Sequence, residues 1–252
     1  MSDLVTYESL DHVATLTMRR PDARNALNQE MRNGLRAGFE TFAADYSAKV
    51  LVLAGDGATF CAGGDLKEMS ATGLQMPADD YIPTIREFDC DKPVIAAVQG
   101  GALGGGFCLA LWCDLVVASE DASFGVAEAK WGRGAPWASP LAELIGPRAA
   151  MQLLTTAEPV SALRAYEIGL VNEVAPTGSH MAAAHRMART IAALAPLSVQ
   201  AGVRMIRRAL EHNTAQLRDE VRAMWEPVYT SEDAQEGPRA FAEKRPPQWQ
   251  GR

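Results

Sequence analysis

The chain has 252 residues, enough for one large α/β domain with a sizeable buried core. Its 31 acidic and 24 basic side chains leave no positive surplus to neutralise phosphates, which argues against nucleic acid as a general partner. The four cysteines show no Cys-x-x-Cys spacing, and the N-terminus has no basic region before an apolar run. We therefore expect a reduced, cytoplasmic protein without a membrane span.

The chain is predicted to open with a hairpin and a capped helix. Residues 3–18 alternate apolar and polar side chains around a turn, which is typical of a half-buried antiparallel hairpin. Asn28 can cap a helix from about Gln29 to Tyr46, because apolar side chains recur there on one stripe. The other predicted elements are a strand over 49–54, a polar and mobile loop over 70–80, a helix from Tyr81 to Cys90, a strand over 114–118, a helix over 147–155, a helix from Ser161 to Gly169, and helices from about 178 onward.

Two apolar strands each run into a glycine-rich turn. Residues 94–98 pass through Gly100–Gly106 into an apolar helix, and residues 49–54 lead to Phe60-Cys-Ala-Gly-Gly-Asp65. Glycines lack a Cβ atom, so a ligand can approach the main chain closely, and the first amides of a helix have no partner within it. Two such amides that converge on one oxygen form an oxyanion hole. The alternative is that the glycines only let a helix pack tightly against the sheet.

Both glycine turns, together with the segments Arg20–Asn28, Ser123–Glu128 and Ala240–Pro246, resemble the crotonase superfamily, also called the enoyl-CoA hydratase/isomerase family. The resemblance covers nearly the whole chain. It implies an α/β fold, a crotonase-like spiral of repeated β-β-α units with a helical C-terminal region. Residues 1–195 would form the core that binds acyl-CoA, and residues 196–252 a helical oligomerisation region. The resemblance also implies a homotrimer or a dimer of trimers.

The resemblance assigns catalytic roles to three residues. Gly64 and Gly105 match the family's two backbone donors to the thioester oxygen, and Glu128 matches its carboxylate in the Phe-Gly-x-x-Glu pattern. A lone carboxylate beside an apolar pocket has a raised pKa and can move a proton to or from the substrate. The alternative for Glu128 is a surface or helix-capping role.

Two departures from the family pattern concern the substrate pocket. Hydratases of the resembled family carry a second glutamate two residues after the triple glycine, where this chain has Cys108. A thiol on an apolar helix is expected to be a small, protonated, buried group. Trp131 and Trp137 lie in a segment that replaces the family's usual glycine-rich run. We predict that Cys108 and both tryptophans line the acyl pocket, although tryptophan also serves as core.

Coenzyme A is expected as part of the thioester substrate, with no separate cofactor, and the four histidines show no metal-ligand spacing. The alternative is that the charged side chains near the expected CoA site are simply exposed to water and bind no ligand. The residues predicted to contact CoA are Arg24, Ala26, Ala62, Asp65, Leu66, Lys67 and Lys244.

The sequence therefore predicts an acyl-CoA enzyme that stabilises an enolate and moves a proton with Glu128. One carboxylate suffices to shift a double bond, so isomerisation is mechanistically the simplest reaction. Hydration, dehydration, and hydrolysis or decarboxylation of an unusual CoA ester are alternatives. A different class of function is a catalytically weak homologue that binds acyl-CoA, and Cys108 is the residue that suggests it.

Overall fold

The computed structural model of the protein describes residues 3–72, 78, 81–215 and 218–250. The predicted N-terminal hairpin is confirmed, and its two turn residues, Asp11 and His12, have positive φ angles of 48° and 67°. All later neighbours in the main sheet pair in parallel, so each needs a crossover connection. The strands are β1 (Val5–Leu10), β2 (Val13–Met18), β3 (Val50–Gly55), β4 (Val94–Val98), β5 (Gly101–Leu103), β6 (Leu115–Ser119), β7 (Ser123–Gly125), β8 (Val160–Ser161) and β9 (Glu173–Ala175).

The strands form two sheets, and each repeat places one strand in each sheet. The larger sheet has the order β1-β2-β3-β4-β6-β9 and the smaller one β5-β7-β8. Strand β4 lies in the larger sheet and its successor β5 in the smaller, and β6 and β7 repeat this arrangement. Successive strand pairs therefore stack in register, as the predicted β-β-α spiral requires.

Helices cover both faces of the larger sheet. Alternate residues of β3 and β4 belong to two separate apolar clusters, one on each face, as expected of parallel strands buried on two sides. The helices are α1 (Gln29–Ala44), α2 (Leu66–Thr72), α3 (Gly105–Leu111), α4 (Leu141–Ile145), α5 (Pro147–Thr156), α6 (Ala162–Glu167), α7 (His180–Ala192), α8 (Pro196–Ala215), α9 (Arg218–Thr230) and α10 (Glu232–Ala242).

The predicted caps are confirmed, whereas one predicted helix is wrong. The side chain of Asn28 accepts a hydrogen bond from the Met31 amide, so α1 begins where the sequence indicated. The helix expected from Tyr81 to Cys90 is only a short 3₁₀ helix, Ile85–Glu87. Pro83 lacks an amide hydrogen and disfavours helical geometry before it, so no helix passes through this position.

The region predicted as a loop over 70–80 is only partly described. Helix α2 extends into it as far as Thr72, and residues 73–77 and 79–80 lie outside the described residues. The predicted mobility of this loop is therefore untested.

The C-terminal helices pack on the body of the protein. Arg207 of α8 donates to both carboxylate oxygens of Asp114, at 2.8 and 2.6 Å, and to the carbonyl oxygen of Cys90 at 2.6 Å. Helix α10 lies against α2 and against the segment that carries Glu128. Within the described ranges, no helix combines the length and the apolar character needed to cross a lipid bilayer.

Candidate active site

The two glycine turns lie side by side in the structure. The Cys61 amide donates to the carbonyl of Gly101, and the Leu103 amide donates to the carbonyl of Cys61, each at 3.0 Å. The chains approach so closely that a Cβ atom on Gly106 would lie 2.2 Å from the Cys61 carbonyl oxygen. Glycine is therefore required at residue 106 for the two turns to meet.

The amides of Gly64 and Gly105 are neighbours, and neither has an acceptor in the part of the chain that the structure describes. A Cβ atom built on Gly105 would lie only 3.6 Å from the Gly64 nitrogen. Gly105 is the first residue of α3, so its N–H has no acceptor within the helix. Among the described residues the Gly64 N–H also makes no hydrogen bond. Two main-chain donors from separate turns are thus available in one small region.

Glu128 lies beside Gly104, the residue that precedes the Gly105 amide. It begins a 3₁₀ helix just after β7, and only 8% of its surface is exposed. A Cβ atom on Gly104 would lie 3.3 Å from its Oε1, so the carboxyl group faces the start of α3. Oε1 accepts a hydrogen bond from the indole N–H of Trp137 at 2.9 Å, whereas the buried Oε2 has no partner in the part of the chain that is described.

Burial dominates the electrostatics of this carboxyl group. It raises the pKa of Glu128 from 4.5 to about 7, although the charge of Arg133 and the hydrogen bond from Trp137 act in the opposite direction. Near neutral pH, Glu128 therefore exists in both protonation states, which suits a group that must accept and return a proton.

Cys108 lies on α3, one turn after these glycines, and is buried. Burial raises the pKa of its thiol well above the ordinary value, and the charge of Glu128 raises it further, while a hydrogen bond with Trp112 lowers it. The side chain is therefore a neutral thiol near pH 7 and cannot act as a base there.

The two tryptophans predicted for the pocket have different surroundings. Trp137 donates to Glu128 and packs edge-to-face on Phe107 of α3, with ring centroids 5.7 Å apart. Trp131 instead packs edge-to-face on Phe241 of α10, with centroids 5.2 Å apart. The structure thus brings Trp137 to the carboxyl group and Trp131 to the C-terminal helix.

Asp65, predicted near CoA, is engaged within the protein. Its Oδ1 accepts from the amides of Lys67 and Glu68, and its Oδ2 accepts from Arg20 at 2.6 Å. Burial raises the pKa of Asp65, but these hydrogen bonds and the Arg20 charge outweigh it and hold the pKa below its ordinary value. The carboxylate therefore caps α2 and fixes the turn that contains Gly64.

The other residues predicted at the CoA site lie in three segments of the chain, the turn before α1, the turn before α2 with the start of α2, and the end of α10. The Arg24 carbonyl accepts from the Ala62 amide at 2.9 Å, so these two residues adjoin, and the Arg24 side chain is exposed. Ala26 accepts from Arg20, the same arginine that binds Asp65. Leu66 and Lys67 begin α2, with the lysine exposed, and Lys244 is exposed just after α10.

Arg133, five residues after Glu128, also reaches this site and was not predicted. Its Nη1 lies 3.1 Å from the position that a Cβ atom on Gly64 would occupy. A signal was present in the sequence, because Arg133 is the one charged residue in the segment Trp131–Pro140. Arg133 places a positive charge beside the first of the two unpaired amides.

Comparisons with known proteins find relatives along nearly the whole chain. The family model described as Enoyl-CoA hydratase/isomerase matches residues 8–252. A 2,3-dehydroadipyl-CoA hydratase from Escherichia coli (strain K12) is 36% identical over 256 residues, with 100% of both chains covered. A carnitinyl-CoA dehydratase from Salmonella typhi is 37% identical, with 95% of each chain covered. A solved structure of a carnitinyl-CoA dehydratase from Mycobacterium avium 104 matches all of both chains with a TM-score of 0.88 and 39% identity, which confirms the predicted fold.

Proposed function

Because the chain belongs to the enoyl-CoA hydratase/isomerase family, we propose that it forms an enolate of an acyl-CoA thioester and moves protons with Glu128. One observation carries this proposal above the others. Among the described residues, the amides of Gly64 and Gly105 have no acceptor and lie close together, and the buried carboxyl group of Glu128, whose Oε2 has no partner, faces the start of α3 where Gly105 lies. The two amides complement an oxyanion, and the carboxyl group complements a carbon acid next to it.

The two amides would bind the thioester oxygen. As a proton leaves a neighbouring carbon, negative charge moves onto that oxygen, and both N–H groups then make stronger hydrogen bonds than in the ground state. Loss of one such donor typically lowers kcat by about 10²–10³-fold. Asp65 supports this step because it holds the Gly64 turn to Arg20 and to α2.

Glu128 would transfer the proton. Its ionised form takes a proton from one carbon of a 3-enoyl thioester and leaves a dienolate, and the protonated form then delivers a proton to another carbon. The product is the shifted double bond, and the carboxyl group ends in its starting state. A single carboxylate is sufficient, which agrees with a neutral thiol at Cys108.

Hydration or dehydration is the second candidate reaction, because the named relatives are a hydratase and a dehydratase. In this reaction Glu128 takes a proton from water while the water oxygen adds to the β-carbon. Glu128 then delivers a proton to the α-carbon. We assign Cys108 to the position where family hydratases carry their second glutamate, so Glu128 would perform both steps.

The CoA portion would lie along the edge formed by Arg24, Ala26, Ala62, Leu66 and Lys67. Arg24 and Lys67 expose the cationic side chains there, and the Arg24 carbonyl binds the Ala62 amide. Lys244 would supply a further cation, whereas Arg245 is occupied by Glu236 and Glu243. We also propose that the chain assembles as a trimer or a dimer of trimers.

A panel of 2-enoyl-, 3-enoyl- and 3-hydroxyacyl-CoA esters in deuterated water tests the proposal. We expect deuterium at the α or γ carbon, and about a 10³-fold loss of its incorporation in Glu128→Gln, because general acid–base catalysis is removed. Glu120→Gln is the matched control, since Glu120 is exposed in a turn. The product formed from each ester separates isomerisation from hydration. If the esters bind, but wild type and Glu128→Gln exchange equally slowly, the protein is an acyl-CoA-binding homologue.

The role of one backbone donor can be tested at Gly105. Proline is tolerated at the first position of a helix and removes the amide hydrogen there, whereas alanine keeps it. Both replacements add a Cβ atom, which would lie 3.0 Å from methyl groups of Ile82 and Leu27. We expect Gly105→Pro to be slower than Gly105→Ala by about 10²-fold in kcat. Equal rates in the two variants would contradict the donor role.

A further inference from the structure

Arg133 connects the Glu128 turn to the first glycine turn. Its amide donates to the Glu128 carbonyl at 3.0 Å, so its backbone is fixed to the 3₁₀ helix that Glu128 begins. Its Nη1 reaches to 3.1 Å from the position of a Cβ atom on Gly64. The guanidinium group therefore lies beside the amide proposed to bind the thioester oxygen.

The described residues supply no ion-pair partner for this group. Its buried Nε also has no hydrogen-bond partner among them. Glu128 is the nearby acid, but its own Oε2 is also partnerless and burial raises its pKa to about 7. At neutral pH this acid is protonated for part of the time and offers incomplete compensation.

The polar neighbour of Arg133 is an uncharged hydroxyl group. Burial raises the pKa of Tyr229, while the Arg133 charge and a hydrogen bond with its side chain lower it. The Tyr229 hydroxyl itself donates to the carbonyl of Gly134 at 2.8 Å. Its oxygen can therefore still accept a hydrogen bond from the guanidinium group. Met69 lies on the same side of Gly64, so the neighbours of the cation other than Glu128 include an apolar side chain and a neutral hydroxyl group.

A partly buried cation without a counter-ion is unfavourable, and a carboxylate is the anion that the planar guanidinium fork binds best. The phosphates of CoA lie at the far end of the pantetheine arm from the thioester and do not reach a group beside the thioester-binding amide. We propose that Arg133 binds a carboxylate on the acyl chain, so that the substrate is a CoA monoester of a dicarboxylic acid. This assignment depends on the proposed function, because it places the thioester at Gly64 and Gly105.

Calorimetric binding of saturated CoA esters tests the assignment without any reaction. Glutaryl-CoA and adipyl-CoA are compared with valeryl-CoA and hexanoyl-CoA, which have the same carbon numbers but end in a methyl group. We expect at least one carboxylated ester to bind wild type about tenfold or more tightly than its methyl-ended analogue, since hydrogen bonds to charged groups carry such energies. In Arg133→Gln this preference is lost, and in Arg133→Lys part of it returns.

Arg148→Gln is the matched control, because Arg148 is exposed on α5; it should keep the wild-type preference. Valeryl-CoA binding in Arg133→Gln shows that the variant is folded and that its CoA site is intact. The assignment is overturned if wild type shows no preference for either carboxylated ester, or if the preference persists in Arg133→Gln. The proposed function would stand in both cases, since it depends on deuterium exchange and on Glu128.

Discussion

Asp114 and Glu128 are both shielded carboxyl groups near the ends of apolar strands, yet their surroundings are opposite. Asp114 accepts two hydrogen bonds from Arg207 and one from the Val94 amide at 2.8 Å. Glu128 accepts one hydrogen bond, from a neutral indole, and its other oxygen has no partner among the described residues. The first carboxylate is fully paired within the protein, and the second is left available.

This contrast separates structural charge from functional charge. Asp114 joins α8 to the β4–β6 region, so its pairing stabilises the packing of the C-terminal helices. Arg133 and Arg207 show the same contrast in cations, because Arg207 is fully bonded and the buried Nε of Arg133 has no partner within the described ranges. Groups that a substrate must satisfy are expected to be unsatisfied without it.

Asp114→Asn should give the largest effect on stability. The side chains of Asp114 and Arg207 are only 14% and 8% exposed, so the variant leaves a buried guanidinium without its counter-ion. We expect the free energy of unfolding in urea to fall by about 3 kcal/mol or more. Proton exchange on acyl-CoA should persist in the folded fraction.

The exposed pair of Arg204 and Asp91 provides the control for this prediction. Arg204 is 58% exposed, so Arg204→Gln removes an ion pair that water already screens. It should change the free energy of unfolding much less than Asp114→Asn does. If the two variants are equally stable, the distinction between paired structural charge and surface charge fails.

Glu128→Gln should have the opposite effect, a gain in stability that depends on pH. Between pH 4.5 and about 7 the folded protein keeps a proton on Glu128 that the unfolded chain releases, so wild-type stability decreases as pH rises. Above this window the penalty is complete, and the variant should be more stable by up to about 3 kcal/mol. At about pH 4, where both states are protonated, the gain should vanish. Urea unfolding of wild type and Glu128→Gln at about pH 4 and above pH 7 measures this gain. A stability difference between the two proteins that does not change with pH would contradict the raised pKa of Glu128.

Local elements were predictable because their signals are local. The Asn28 cap and the hairpin depend on side chains within a few residues, and both are confirmed. The helix predicted from Tyr81 to Cys90 is wrong because Pro83 disfavours helical geometry there, and only the 3₁₀ helix Ile85–Glu87 forms. The meeting of the Gly64 and Gly105 turns followed from the family resemblance, since main-chain amides leave no pattern of their own in a sequence.

The contacts of individual side chains were not predictable. Trp131 and Trp137 occupy the same short segment and look equivalent in the sequence, but one ring packs on Phe241 and the other donates to Glu128. Likewise, nothing in the sequence shows that Asp65 binds Arg20, which is 45 residues away in the chain. Such choices depend on long-range packing, which periodicity and motif spacing do not encode.

Trp137→Phe should give the smallest effect and tests how the Glu128 pKa is set. The ring that packs on Phe107 is kept, but the N–H that stabilises the ionised carboxylate is lost, so the pKa of Glu128 should rise. If ionised Glu128 is the base, kcat/KM rises with pH through about 7, and this acid limb should move upward by up to about one pH unit. Trp131→Phe removes an indole that contacts Phe241 instead, so its acid limb should stay at the wild-type position. If both variants keep the wild-type limb, the indole hydrogen bond does not contribute to the pKa of Glu128.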